Sequence, residues 1–170
     1  MQIHAGLYKG RRVKTVKNAP YRPTTSSVRK SLFDIIGNLQ GKKILDLFAG
    51  SGIVGFEAAS RGANLITFVE SSMRVNSLLK INGSLFKQTN FEYVKQDATK
   101  FIVSCEKYDI IFADPPYEFD PNEKFISDAI DHLNKDGILI LESSIKEYTI
   151  SPDRIKEYGD TQLTFWRNKE

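Results

Sequence analysis

Asp114-Pro115-Pro116-Tyr117 follows Tyr108-Asp109-Ile110-Ile111-Phe112-Ala113, a run that reads as a buried strand. Neither of two adjacent prolines has an N–H to donate to a sheet ladder, so the strand must stop and the chain must turn rigidly there. The turn leaves a carboxylate, a stiff carbonyl-bearing backbone and an aromatic ring at a strand's C-terminal end, where open α/β sheets bind ligands. A carboxylate and a carbonyl accept hydrogen bonds from an amino group on a flat ring, and a tyrosine stacks on that ring. The set suits chemistry on the exocyclic amine of a nucleobase.

A second constellation lies upstream. Ile44-Leu45-Asp46-Leu47-Phe48-Ala49-Gly50-Ser51-Gly52 reads as a strand running through a glycine turn into a helix. Glycine lets backbone approach a ligand and permits positive φ. Glu70 ends the following strand, 18 residues beyond Gly52. That is close to the ~20-residue spacing expected of an acid on ribose hydroxyls. Gly50-Ser51-Gly52-Ile53-Val54-Gly55 also fits the nicotinamide Gly-x-Gly-x-x-Gly string, so a dinucleotide oxidoreductase is a candidate. Two acids weigh against it. Asp46, just before the loop, suits a cationic amino group and would repel a pyrophosphate. Asp97, after the third strand, suits an adenine amine. S-adenosylmethionine carries a cationic amine and a sulfonium and no phosphate, so the acids favour it. Asp46 or Asp97 alone reads as readily as a helix cap or an exposed turn. The ordered set Asp46, Gly50, Gly52, Glu70, Asp97 and Asp114 is much harder to account for that way.

Metal and thiol chemistry find little support. No His/Cys cluster with ligand spacing occurs, and no metal is expected. The one cysteine, Cys105, excludes an internal disulfide framework, and neither His4 nor His132 sits in a base motif beside it. Cys105 reads as a partly buried thiol.

These residues need a scaffold. At 170 residues, 41% hydrophobic and 26% charged, the chain fits one ordinary globular domain with a sizeable core. Its longest apolar runs, such as Gly137-Ile138-Leu139-Ile140-Leu141, are too short to span a bilayer, and Met1-Gln2-Ile3-His4 lacks the apolar core of a signal peptide. A cytoplasmic protein is expected. Residues 2–17 have β-type spacing around Tyr8-Lys9-Gly10, which predicts a basic hairpin. Arg22-Pro23-Thr24-Thr25 gives a proline stop and an N-cap signal before Val28, Leu32, Phe33, Ile35 and Ile36 at helical spacing.

After Gly41 the spacing predicts strands at 43–48, 64–69, 91–95, 109–113 and 138–142. Helices are predicted between them at 54–61, 72–86, 98–105 and near 122–133. Such alternation implies a mainly parallel sheet with helices on both faces. Residues 154–158 and 161–167, around Gly159-Asp160, predict a terminal hairpin that adds an antiparallel strand.

The net charge of +3 is unevenly spread. Residues 1–33 hold eight Lys or Arg and no acid, leaving 16 basic against 21 acidic residues in the rest, a net of −5. Such asymmetry suggests a nucleic-acid-facing arm, to which the phosphate backbone supplies non-specific affinity. A solvated basic face without a partner is the plainer alternative.

With these motifs the chain resembles class I S-adenosylmethionine-dependent methyltransferases. More closely, it is similar to the RsmD-type family of small-subunit ribosomal RNA guanine-N2 methyltransferases. The resemblance runs from Gly6 and Lys9-Gly10-Arg11 through Arg22-Pro23-Thr24 and Val28-Arg29-Lys30-Ser31-Leu32-Phe33. It continues through the Leu45–Gly52 string, Ser60-Arg61-Gly62-Ala63, Glu70, Asn82 and Asp-Pro-Pro-Tyr to Tyr158-Gly159-Asp160-Thr161. It implies a Rossmann-like core over residues 41–170, with a mainly parallel seven-stranded sheet and an antiparallel C-terminal hairpin strand. A basic hairpin/helix extension over 1–40 would face RNA, the whole forming one compact unit.

By the same resemblance Asp46, Phe48, Ala49, Gly50, Ser51 and Gly52 would form the cofactor loop. Glu70 would hold the ribose, Asp97 and Ala98 would line the adenine, and Asp114, Pro115, Pro116 and Tyr117 would hold the target guanine. Lys9, Arg11, Arg12, Arg22 and Arg29 would contact RNA. The implied partner is ribosomal RNA within an assembled small subunit or intermediate, with the enzyme a monomer.

The rivals are other amine methyltransferases, the nicotinamide oxidoreductase and a non-catalytic RNA-binding module. DNA adenine enzymes usually need a recognition domain for which this chain has little room. Protein glutamine enzymes typically carry Asn before Pro-Pro-Tyr. An intact set of acids and glycines speaks against a decayed site.

Overall fold

The computed structural model describes residues 1–17 and 24–170. Its frame is a seven-stranded sheet of order β3-β2-β1-β4-β5-β7-β6. The first four strands in sequence are β1 (Lys43–Leu47), β2 (Leu65–Val69), β3 (Asn90–Val94) and β4 (Tyr108–Ala113). They are followed by β5 (Leu133–Ser144), β6 (Arg154–Tyr158) and β7 (Thr161–Arg167). β1 to β5 pair in parallel, whereas β7 lies antiparallel between β5 and β6. The helices are α1 (Ser26–Ile36), α2 (Ile53–Ser60), α3 (Met73–Gly83), α4 (Ala98–Phe101) and α5 (Glu123–Asp131).

The apolar stretches of β1, β2 and β4 and the part of β5 over residues 138–141 are covered on both faces of the sheet. Side chains on one face join Val28, Leu32 and Phe33 of α1, most of α2 and Leu79 of α3 in one core. Those on the other join Ala98 of α4 with Phe125, Ile126 and Ala129 of α5. The order reverses between β1 and β4, where chain crossovers leave in opposite directions and open a crevice at the strands' C-terminal ends.

Three expectations shift. The helix expected at 98–105 closes after Phe101, and the rest is irregular. β5 starts at Leu133 rather than 138. A bulge at Tyr108/Ile110 and the left-handed Asp136 carry the polar stretch Asn134-Lys135-Asp136 into the ladder, helped by Asn134 Nδ2 donating to Asp109 Oδ1 at 3.1 Å. The basic hairpin over 2–17 forms as a turn with one antiparallel bridge, Gln2 to Arg12, rather than two regular strands. Its backbone still pairs, with Ile3 N–H donating to Arg11 O at 2.9 Å and Val13 N–H to Met1 O at 2.8 Å.

That N-terminal segment covers α2, which is why every residue of α2 is buried. Leu7 N–H donates to Ser60 O at 2.7 Å, and Tyr8 N–H to Ser60 Oγ at 2.8 Å. The backbones touch so closely at Gly6 that a Cβ there would lie 1.8 Å from Ser60 O. Glu57, wholly buried, fastens the rest by accepting from the backbone N–H groups of His4 at 2.8 Å and Ala5 at 3.0 Å.

Candidate active site

Five strand ends converge on one cavity of about 840 Å³. β1 contributes Asp46 and the loop Phe48-Ala49-Gly50-Ser51, β2 contributes Glu70, and β3 leads to Asp97 and Ala98. β4 contributes Asp114 to Tyr117 and β5 contributes Glu142. The two constellations read from the sequence, far apart in the chain, thus share one space because β1 and β4 are neighbours in the sheet.

The loop's shape has identifiable supports. Ala49 N–H donates to Val69 O at 3.0 Å, and Gly52 N–H to Ala49 O at 2.8 Å. Glu70 clamps it from the side, accepting Gly50 N–H on Oε2 at 3.0 Å and Ser72 N–H on Oε1 at 2.8 Å. Asp46 Oδ2 accepts Gly55 N–H at 3.1 Å and ties the strand to the first turn of α2. Phe48 holds a left-handed φ of 56°, unusual for an aromatic residue. Its ring packs on Phe119 at 5.2 Å and Phe125 at 6.1 Å, and Phe48 and Phe119 both line the cavity.

Gly52 does not line the cavity. It stands behind the loop as the α2 N-cap at φ 71°, where a Cβ would meet Leu79 at 2.5 Å and Phe56 at 2.9 Å. Its part is to let α2 turn close against the core.

Charge is concentrated in a low-dielectric place. Burial pushes the Asp46 carboxyl up to about 8, with Glu70 adding repulsion and the Gly55 N–H opposing the rise. Asp97 behaves oppositely: the Thr99 hydroxyl and the backbone N–H groups of Lys100 and Thr99 hold it below its ordinary range. Its Oδ1 caps α4, so Asp97 is a helix cap and a cavity-lining group at once.

After β4 the Asp-Pro-Pro-Tyr turn is closed by Phe119 N–H donating to Pro116 O at 2.9 Å. Asp114 and Pro115 are half-buried, whereas Tyr117 is 71% exposed at the rim. Lys146, an ion-pair partner of Asp120, ties the chain after β5 to the segment after the turn.

Sequence reading missed part of the cavity wall. Thr24, Phe119, Glu142 and Asp160 all line the cavity. Glu142 carries one sequence signal: it directly follows the apolar run over residues 138–141, as Glu70 directly follows β2.

The expected RNA contacts divide. Lys9 and Arg12 are exposed. Arg11 is half-buried, with its guanidinium 4.7 Å from the centre of the Tyr8 ring and 5.6 Å from that of Phe86. Arg22 lies outside the described residues. Arg29, expected at the RNA face, is instead buried, with only 2% of it accessible. Its guanidinium donates to Gln2 O at 2.9 Å, meets His4 Nε2 at 2.7 Å and lies 3.8 Å from Glu57. It belongs to the clamp that holds the N-terminal segment on α2. Among the described residues no group of acids, histidines and cysteines could hold a metal, and no helix is long and apolar enough to cross a membrane.

The family model described as conserved hypothetical protein 95 matches residues 1–167. The ribosomal RNA small subunit methyltransferase D of Haemophilus influenzae is 31% identical over 161 residues, which is 90% of this chain and 83% of that protein. A solved hypothetical protein of Thermus thermophilus superposes with a TM-score of 0.84 at 27% identity, covering 98% of both chains. The fold is shared with the 16S rRNA N2 G1207 methyltransferase of T. thermophilus, solved with AdoMet and guanosine. That match has a TM-score of 0.67 at 17% identity and covers 86% of this chain and 44% of that one.

Proposed function

The chain belongs to the conserved hypothetical protein 95 family, that of the small-subunit methyltransferases D, and on that premise we propose that it methylates the exocyclic N2 amine of a guanine in small-subunit (16S) ribosomal RNA. The methyl donor is S-adenosylmethionine. The observation that carries this reading is the single cavity joining the glycine loop and its acids to the Asp-Pro-Pro-Tyr turn.

The residues present fit that donor. A buried carboxyl pushed up to about 8 is a place that a cationic amine relieves, and Asp46 lines the cavity there. The loop Phe48 to Ser51 offers close backbone approach, Glu70 suits ribose hydroxyls, and Asp97 with Ala98 suits the adenine. When bound, S-adenosylmethionine supplies an electrophilic methyl on a sulfonium.

The chain's own work falls on the acceptor. Guanine N2 is a weak nucleophile because its lone pair is delocalised into the ring. Asp114 and the carbonyl of Pro115 accept its two N–H bonds, favour a pyramidal nitrogen and aim its lone pair into the cavity. Asp114 stands ready for the departing proton. Tyr117 at the rim stacks on the base once it leaves its own stack. Alignment of nucleophile, methyl and leaving sulfur supplies most of the acceleration.

Beyond the base, the N-terminal segment extends the footprint. It runs along α2, whose eight residues span about 12 Å, and presents Lys9 and Arg12 to the phosphate backbone. A ribosomal RNA substrate sets the reaction in the cytoplasm, where the small subunit is assembled.

The test is transfer of labelled methyl to small subunits unmodified at the site, alongside naked RNA, DNA and total protein. Label in ribosomal RNA as N2-methylguanine is expected, and the subunit and naked-RNA arms identify the form of substrate. Label in DNA or protein alone, or protection against unfolding by NAD but not by S-adenosylhomocysteine, contradicts the reading.

A further inference from the structure

Guanine presents three N–H groups along one edge, N1–H and the two of N2, and the Asp114 carboxylate with the Pro115 carbonyl accounts for the two on N2. The third lies beside them and is what separates guanine from adenine or cytosine, whose corresponding ring nitrogens are acceptors. The sheet register shows what stands there. Ala113 of β4 pairs with Leu141 of β5 as the last pair of that ladder, so Asp114 and Glu142 are the residues that follow it on two chains whose strand axes lie about 4.8 Å apart. Phe112 and Ile140, each two residues earlier, pair in the same ladder and belong to the same core. Asp114 and Glu142 both line the cavity. Glu142 Oε2 accepts the Thr24 hydroxyl at 3.1 Å, and Thr24 is itself buried.

We propose that Glu142 is the guanine-reading residue, accepting N1–H while Asp114 and Pro115 hold N2, and that Thr24 is a positioning residue for its carboxylate. The inference rests on the guanine-N2 reading above. An adenine or cytosine in the same place would set a ring-nitrogen lone pair against the Glu142 carboxylate. The amine could still reach Asp114, but the base would be rejected. Thr24 lies just ahead of α1, so the N-terminal part of the chain helps to shape the base pocket as well as the outer RNA face.

The test compares wild type with Glu142→Gln, a same-shaped side chain whose amide can donate to an acceptor at N1. Guanosine and 2-aminopurine riboside, which keeps the 2-amine but has an acceptor at N1, are used as competitors of methyl transfer to unmodified small subunits. Wild type should be inhibited by guanosine at a concentration roughly tenfold or more below that needed for 2-aminopurine riboside, the scale of one good base contact. In Glu142→Gln that ratio should shrink to about one or invert, while thermal protection by S-adenosylhomocysteine is unchanged. Thr24→Val should reduce the ratio partway. The same ratio in wild type and Glu142→Gln, or no competition by guanosine in the wild type, overturns the assignment. Failure of the guanine-N2 reading itself shows separately, as wild-type label recovered on something other than N2-methylguanosine.

Discussion

Asp46 accepts the backbone N–H of Gly55 at 3.1 Å, so the acid ahead of the glycine loop also fixes the start of the helix behind it. One side chain therefore serves fold and site, and its titration reports on both. Burial raises its carboxyl from an ordinary 3.8 to about 8 and favours the neutral form in the folded chain. Its contribution to stability is therefore complete below about pH 4 and is lost progressively as pH rises through about 8. Asp46→Asn stays neutral and retains an acceptor for Gly55. Its melting temperature should fall less than wild type's between pH 4 and 8 and exceed it above pH 8, while its affinity for S-adenosylmethionine collapses. Parallel melting curves across that range contradict the assignment.

Gly55 sits where α2 meets the sheet, and a Cβ there would lie 2.4 Å from Phe68 and 2.8 Å from Ile66. Gly55→Ala should destabilise the protein by about 1–3 kcal/mol through overpacking, read as a lower midpoint of urea unfolding at unchanged slope. An unchanged midpoint shows that α2 can move away from the sheet at no cost.

Basic residues of the N-terminal part should separate into two classes. Lys9→Gln with Arg12→Gln should leave the melting temperature in place, weaken RNA binding and flatten its salt dependence by roughly one unit of slope for each phosphate no longer neutralised. Arg29→Ala removes one partner of an ion pair whose side chains are 3% and 0% exposed. It should cost on the order of 3–5 kcal/mol of stability. Salt titration of RNA binding together with thermal melting distinguishes the two, and a destabilised Lys9/Arg12 variant contradicts the division.

Asp114→Ala should abolish methyl transfer while binding S-adenosylhomocysteine nearly as well as wild type, because the donor is held by the glycine loop and the acids of β1 to β3 rather than by the turn after β4. Asp114→Asn keeps an acceptor for the amine but no charge and should retain a small fraction of turnover. Single-turnover rates with thermal-shift titration measure both quantities. Near-normal transfer by Asp114→Ala contradicts the role.

Much of the fold was legible because its strands and turns carry strong local signals. The terminal hairpin occupies Arg154–Tyr158 and Thr161–Arg167, the bounds expected from the turn at Gly159-Asp160. The cavity's acids were legible because Asp46 interrupts an apolar strand, Glu70 directly follows one and Asp97 stands at the junction between β3 and α4. What escaped was set by tertiary packing. Arg29 is a charged residue at the spacing of Val28, Leu32 and Phe33, so it faces the core, and that position outweighed its charge once Glu57 and His4 were there to receive it. The polar run Asn134-Lys135-Asp136 hid the first half of β5, since only the neighbouring strand's Asp109 reveals why it pairs. Glu142 follows an apolar run as Glu70 does, but only the pairing of Ala113 with Leu141 shows that it leaves the ladder at the level of Asp114.

The most direct test is nucleoside mass spectrometry of 16S RNA from small subunits lacking the modification, after incubation with deuterium-labelled S-adenosylmethionine and either wild type or Asp114→Ala. The labelled methyl should appear as N2-methylguanosine with wild type and be absent with the variant. Labelled methyl on another atom or base, or equal labelling by the two proteins, contradicts the assignment of the Asp-Pro-Pro-Tyr wall to a guanine amine.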